Sequence, residues 1–291
     1  MPTVKSLMLE GATIPEKLRN LHDTPKTLYL SGNGNLDELL KRPIIAIVGS
    51  RKVDAYGTHV TKMLASDLAS RGAVIVSGLA LGVDGIAHTA CMDAGGATIA
   101  FMANGIGGIY PQTNLAIGRR MQQHGFVISE HDGDYMPYRH DFLIRNRLIS
   151  GLADAVIVTQ AAARSGSLNT ASHALEQGKL VMAVPGPITN PLCEGPNNLL
   201  KMGASLATSA DDVWNALNMP ALKKSKNIDY SLLAQNEPEL NIISLLVTGD
   251  SDGEVLAAKS GLSAQEFNVH LTMLEIRGII TPLGANHWTL L

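Results

Sequence analysis

At 291 residues, with 45% hydrophobic and 17% charged side chains, the chain is long enough for about two domains and can close a core without covalent staples. Its 23 Lys and Arg against 26 Asp and Glu give a formal charge of −3, which excludes a global basic field for polyanions, so any nucleic-acid site must be local. Two cysteines, Cys91 and Cys193, exclude a disulfide framework, no Cys/His cluster has zinc-ligand spacing, and no apolar run suits a leader or a membrane span; a cytoplasmic protein is expected.

Residues 1–42 read as an N-terminal extension, with an edge strand over Thr27–Leu30 and a short helix over Leu36–Leu40. From Ile44 the pattern changes to short apolar runs: Ile44–Val48, Ala73–Val76, Ala97–Met102, Phe126–Ser129, Ala155–Thr159 and Leu180–Val184. Most are apolar throughout, as strands covered on both faces require. Between them lie segments of crossover-helix length, Thr58–Arg71, Asp84–Ala94, Asn114–His124, Asp141–Gly151 and Leu168–Gln177. The alternation implies right-handed crossovers and an α/β fold, an extended Rossmann-like, doubly wound, mainly parallel sheet over residues 43–220. Ligands of such a sheet sit beyond the carboxyl ends of its strands, where the strand order reverses.

The charged run Lys223-Lys224-Ser225-Lys226 marks a linker over 221–230. Beyond it, Asn241–Val247, Gly253–Ser260, Ser263–Arg277 and Gly278–Leu291 read as three helices and a hairpin, a small C-terminal winged-helix domain over 231–291. Ser263 with Glu266 three positions later is a capping box. Residues 228–291 carry 2 basic and 8 acidic side chains, so this module would be repelled by phosphate and is expected to contact protein.

The turns after the strands hold the chemistry. Gly49-Ser50-Arg51 ends the first core strand: glycine lets backbone N–H groups approach an anion, and Arg51 adds a planar fork, although an internal salt bridge would use it equally. The missing GxGxxG disfavours a dinucleotide. In Ser77-Gly78-Leu79-Ala80-Leu81-Gly82-Val83-Asp84 the next turn leads to Asp84 and His88, four apart on one helical face. Without a third ligand they are expected to be structural. Gly105 to Pro111 places Tyr110 at the ligand edge, and Glu130, Asp132 and Asp134 are expected to form a polar loop.

The densest signal runs from Tyr138 to Arg147, interleaving Arg139, Arg145 and Arg147 with Tyr138 and Phe142, with Tyr135 just upstream. Cations that follow a phosphodiester backbone and rings on which bases stack are what single-stranded nucleic acid requires, against the alternative of a solvated face with Phe142 in the core. Arg145 and Arg147 point in different directions on a helix, so one is expected to face ligand and the other the fold. Arg164, Ser165, Gly166 and Ser167 form a further phosphate-ready helix start. Arg51, Arg139, Arg145, Arg147 and Arg164 all follow strands, which predicts a basic groove in a neutral domain.

These motifs resemble the DNA-processing protein A family, DprA or Smf. The likeness runs through Ile45-Ala46-Ile47-Val48-Gly49-Ser50-Arg51, Ser77 to Asp84 with Ala87-His88, Gly105 with Tyr110-Pro111, and Phe142 with Arg145-Asn146-Arg147. It continues through Ser165-Gly166-Ser167, Val184-Pro185-Gly186 and Gly195-Pro196-Asn197-Asn198. The resemblance implies a non-enzymatic, sequence-independent single-stranded DNA binder without cofactor or metal, a homodimer that helps load the RecA recombinase in natural transformation. Site residues implied by motif are Gly49, Ser50, Arg51, Phe142, Arg145, Asn146 and Arg147, while Arg139 stands where the family often has a lysine. Leu143 and Ile144 depart from the family's usual Pro and apolar residue, and Phe101-Met102-Ala103-Asn104 is a looser strand end. The alternative is an enzyme resembling the Lonely Guy phosphoribohydrolases, but here Leu168-Asn169-Thr170 is followed by Ala171, Ser172 and His173, without the glutamate of that family's motif.

Overall fold

Strands that are apolar on both sides need two covering layers, and the sheet alternates between them residue by residue. Ile44, Ala46 and Val48 pack with Leu148, Ile149, Leu152, Ala171, Ala174 and Leu199 on one face. Ile45 and Ile47 pack with Val60, Leu64, Leu68, Val83, Val213 and Trp214 on the other. Each such fully buried Ile or Leu contributes roughly 1.5–3 kcal/mol relative to exposure.

The computed structural model describes residues 6–218, 233–284 and 286–290. The chain divides into two compact units, Met1–Lys224 and Ser225–Leu291. The linker expected over 221–230 lies outside the described residues. In the first unit the strands are β1 Ser6–Glu10, β2 Thr27–Ser31, β3 Ile44–Val48, β4 Val74–Ser77, β5 Thr98–Met102, β6 Gly125–Ser129, β7 Ala155–Val158, β8 Leu180–Ala183 and β9 Ser205–Leu206. Its helices are α1 Glu16–Arg19, α2 Leu36–Leu40, α3 Ala55–Ser70, α4 Val83–Asp93, α5 Leu115–His124, α6 Arg139–Leu152, α7 Gly166–Glu176, α8 Glu194–Lys201 and α9 Ala210–Leu217. The described strands form one sheet in the order β1-β2-β6-β5-β4-β3-β7-β8-β9. Pairing is parallel from β6 to β9 and antiparallel only at β1–β2 and β2–β6. This is the doubly wound, mainly parallel sheet anticipated from the sequence.

Several details differ. Thr27–Leu30 was expected at the sheet edge, but β1 lies outside it, pairing Leu7 with Leu30 and Leu9 with Leu28. Residues read as an extension are thus built into the sheet, and Leu18, Leu28, Leu30 and Leu39 share the core with α6. The starts of α3, α6 and α7 fall two to three residues earlier than periodicity suggests, while those of α4 and α5 lie within one residue of it. Asp54 caps α3 by accepting the Gly57 N–H at 2.8 Å, and Ser165 caps α7. Such starts are set by capping oxygens rather than by apolar spacing.

The second unit contains α10 Glu237–Val247, α11 Gly253–Ser260, α12 Ala264–Ile276 and the hairpin β10 Ile280–Gly284 with β11 His287–Leu290, a winged-helix order. Ile242, Ile243, Leu256, Phe267, Leu271, Leu274 and Ile280 form its core. The Ser263 and Glu266 capping box closes α12 as the sequence implies. Among the described residues no helix is long and apolar enough to cross a membrane.

Candidate nucleic-acid interface

From β3 the chain winds outward to β4, β5 and β6, then returns to place β7 on the other side of β3. The loops after β3 and β7 therefore diverge at the reversal of strand order and leave a crevice. A cavity of about 1110 Å³ opens there, lined by Val48 to Lys52, the inner face of α6, and the loop and first turn of α7.

The β3 loop is fixed by close backbone approach. Ser50 donates its N–H to the Gln160 carbonyl at 2.6 Å and accepts the Val83 N–H at 3.1 Å. Its hydroxyl donates to the Lys52 carbonyl at 2.8 Å. Gly82, with φ of +74°, lies against this turn so tightly that a Cβ would sit 2.2 Å from the Ser50 carbonyl oxygen. Arg51 is thereby left exposed at the mouth, its Cζ 5.3 Å from the Phe142 ring centroid. Tyr110 approaches the same ring at 5.9 Å and 47°.

Helix α6 starts where Asp141 turns back to accept the Tyr138 N–H at 2.7 Å and the Tyr135 hydroxyl at 2.8 Å. Burial raises the Asp141 carboxyl pKa, but these hydrogen bonds outweigh it and hold the value below the usual range. This local cap begins the helix at Arg139 although Leu143 and Ile144 replace the family's usual pair. Arg139, Phe142, Arg145, Asn146 and Ile149 recur at helical spacing and face the cavity.

Arg145 forms part of the floor. It is buried, donating Nη1 to the Gly78 carbonyl at 2.9 Å and to that of Phe101. Burial lowers its pKa to about 10, with Arg51 adding to the shift and Asp84 opposing it, so it remains a cation at neutral pH. Gly78 is needed for this approach, since a Cβ there would meet the guanidinium at 2.6 Å. Asp84 Oδ2 accepts the Gly78 and Ala80 N–H groups at 3.0 and 3.3 Å, and desolvation raises its pKa against the opposing effect of Arg145. His88 contacts Thr98 in the interior. Both side chains are buried, and Asp84 also lines the cavity.

Asn146 ties α6 to the α7 start, donating to the Gly166 carbonyl at 3.3 Å and to Asn169 Oδ1 at 3.2 Å. Ser165 Oγ lies 2.8 Å from Ser167 Oγ. Arg164 is exposed beside them. Arg51, Arg139 and Arg164 have no acidic partner within salt-bridge distance among the described residues.

Of the residues anticipated from sequence, Gly49, Ser50, Arg51, Arg139, Phe142, Arg145, Asn146, Arg164, Ser165, Gly166 and Ser167 all line the cavity. Arg147 does not, and here the expectation is corrected. It points away from the crevice, buried, with Nη1 and Nη2 2.9 and 2.8 Å from the Glu130 carboxylate and Nε 2.9 Å from Asp23. A two-residue offset places it roughly 200° around the helix from Arg145, where two acids neutralise it. Glu130 is thus an ion-pair partner rather than one of three equivalent loop acids. The sequence reading missed Lys52, Asn169 and Leu192 in the lining. Lys52 was legible as a second cation on the Arg51 turn; Leu192 comes from a 3₁₀ turn, Pro191–Cys193, with no such signal.

A family model described as DNA recombination-mediator protein A matches residues 5–218. The DNA processing protein DprA of Bacillus subtilis is 39% identical over 228 residues, 78% of this chain and 74% of that relative. Protein Smf of Escherichia coli is 36% identical over 279 residues, 94% of this chain and 74% of the relative. The chain spans about half the length, 49%, of a Mycobacterium tuberculosis putative DprA that is 44% identical over 190 residues. The solved DNA processing protein A of Helicobacter pylori, described for its single-stranded DNA binding mode, superposes with a TM-score of 0.66 at 36% identity, covering 74% of this chain and 96% of that one.

Proposed function

The chain belongs to the DNA recombination-mediator protein A family, and from that premise we propose that its crevice binds single-stranded DNA without sequence preference and without catalysis. One observation carries this reading: three exposed guanidiniums, Arg51, Arg139 and Arg164, line one cavity together with the Phe142 ring and, among the described residues, form no salt bridge. Unneutralised cations can track phosphates, while the ring offers a π-face that every base shares. Base-edge readout is not required for such binding.

A non-catalytic role draws support from the lining. Asp84 is its one carboxylate among the described residues, and its Oδ2 is occupied by the Gly78 and Ala80 amides. The α7 turn supplies Asn169 and Thr170, followed by Ala171, where nucleotide cleavage would want an acid. Delivery of the bound strand to a RecA-type recombinase, and self-association into a homodimer, complete the proposal; both rest on family membership.

The test is a titration of oligothymidylate at several salt concentrations. Log K should fall with log salt by about 0.7 per phosphate contact, and Arg51→Ala and Arg164→Ala should each lower the slope by about that amount. Unchanged affinity and slope in the double variant would refute the site.

A further inference from the structure

We propose that the strand leaving the crevice runs over a second stacking platform at the start of α6, with Tyr138 and His140 supplying the next base-binding surface after Phe142. This rests on the single-strand reading above and extends it to a position that the cavity itself does not include. Neither Tyr138 nor His140 lines the cavity, whereas Arg139 between them does.

The geometry points to a nucleic-acid ridge. Tyr138 is 69% exposed, and its ring lies nearly parallel to that of His140, 5.9 Å between centroids and 10° between planes. Met136 beside it is also exposed. A tyrosine that the fold needed for packing would be turned inward. Here the ring is turned to solvent, while the Tyr138 backbone N–H donates to the Asp141 carboxylate at the α6 start. The second ring is steadied by the same carboxylate, with His140 Nε2 3.2 Å from Asp141 Oδ1.

Two stacked rings on either side of Arg139 in sequence, a cation without a salt bridge among the described residues, match one nucleotide: a base on the Tyr138 face and a phosphate against Arg139. The order along α6 then has a chemical consequence. Phe142 lines the cavity, Arg139 sits at its mouth, and Tyr138 stands outside, so a strand anchored within passes the ring on its way out. Rings at such positions are sequence-tolerant because each base presents a π-face.

The test compares oligothymidylates of about 4 and about 15 nucleotides, the range of single-strand site sizes, at fixed salt. Tyr138→Ala should weaken the longer oligonucleotide about tenfold while leaving the shorter one unchanged, and Tyr138→Phe should restore binding. An oligonucleotide carrying 5-iodouracil should photo-crosslink to Tyr138 or His140 only when long enough to leave the crevice. Intact affinity for both lengths in Tyr138→Ala, without crosslinks at 138 or 140, would overturn the proposal and leave the ridge to a protein partner. Equal weakening of both lengths would also overturn it, by placing Tyr138 inside the primary site. Failure of the crevice itself reads differently, as Arg51→Ala without effect on either length.

Discussion

The Arg51 guanidinium lies over the Phe142 ring, 5.3 Å from Cζ to the ring centroid, so the cation and the stacking surface of the crevice are one unit. The ring is half-buried and touches Tyr110 rather than the sheet core. Phe142→Ala should therefore cost about 1–3 kcal/mol in single-strand affinity, with little change in melting temperature. The exposed cation–π contact contributes only about 0.5–1 kcal/mol, so Arg51 and Phe142 should be nearly additive in a double-mutant cycle apart from that term. Loss of thermal stability with unchanged binding would place the ring in the core instead.

Arg147 separates fold from function within the same motif. Its bidentate pair with Glu130 and its bond to Asp23 tie α6 to the β6 end and to the segment before β2. Arg147→Ala leaves the largely buried Glu130 carboxylate unpaired and should cost about 2–4 kcal/mol of stability, discounted for the exposure of Asp23. Denaturant unfolding measures this. The folded variant should keep wild-type affinity and the wild-type salt slope for oligothymidylate, a result incompatible with Arg147 touching DNA.

The central strands were legible because continuous apolar runs such as Ile44–Val48 have one sheltered solution, and the crevice because its arginines all follow strands. What stayed hidden depends on partners distant in sequence. Nothing in Arg145-Asn146-Arg147 tells which arginine meets acids, since Asp23 and Glu130 arrive by folding. Likewise β1 is a strand through its pairing with β2 rather than through its own short pattern. The α6 start escaped because Asp141 caps it from inside the helix.

Gly82 governs the Arg51 turn through space alone. With φ of +74° and the Ser50 carbonyl 2.2 Å from where a Cβ would stand, Gly82→Ala imposes both backbone strain and a collision with backbone that cannot yield cheaply. A loss of about 2–4 kcal/mol is expected in denaturant unfolding. Because displaced backbone carries Ser50 and Arg51 with it, single-strand affinity should fall as well. Gly95, also at positive φ but with open space around it, is the control: Gly95→Ala should leave binding untouched.

His88 makes stability depend on pH. Thr98 Oγ1 donates to the Ile75 carbonyl at 2.8 Å, so toward His88 it can only accept, and the imidazole must carry its proton on Nδ1. Nε2 is buried without a partner, and protonating it would place a second cation near Arg145. Burial, with Arg145 adding, lowers the His88 pKa from 6.5 to about 3. Between those values the unfolded chain binds a proton that the folded chain refuses, so stability from this group is full above pH 6.5 and declines as pH falls toward 3. Roughly 2 kcal/mol should be lost by about pH 5. His88→Asn keeps a donor for Thr98 and removes the titration; it should be less stable at neutral pH yet lose less on acidification. Equal slopes of unfolding free energy against pH in wild type and variant would contradict this assignment.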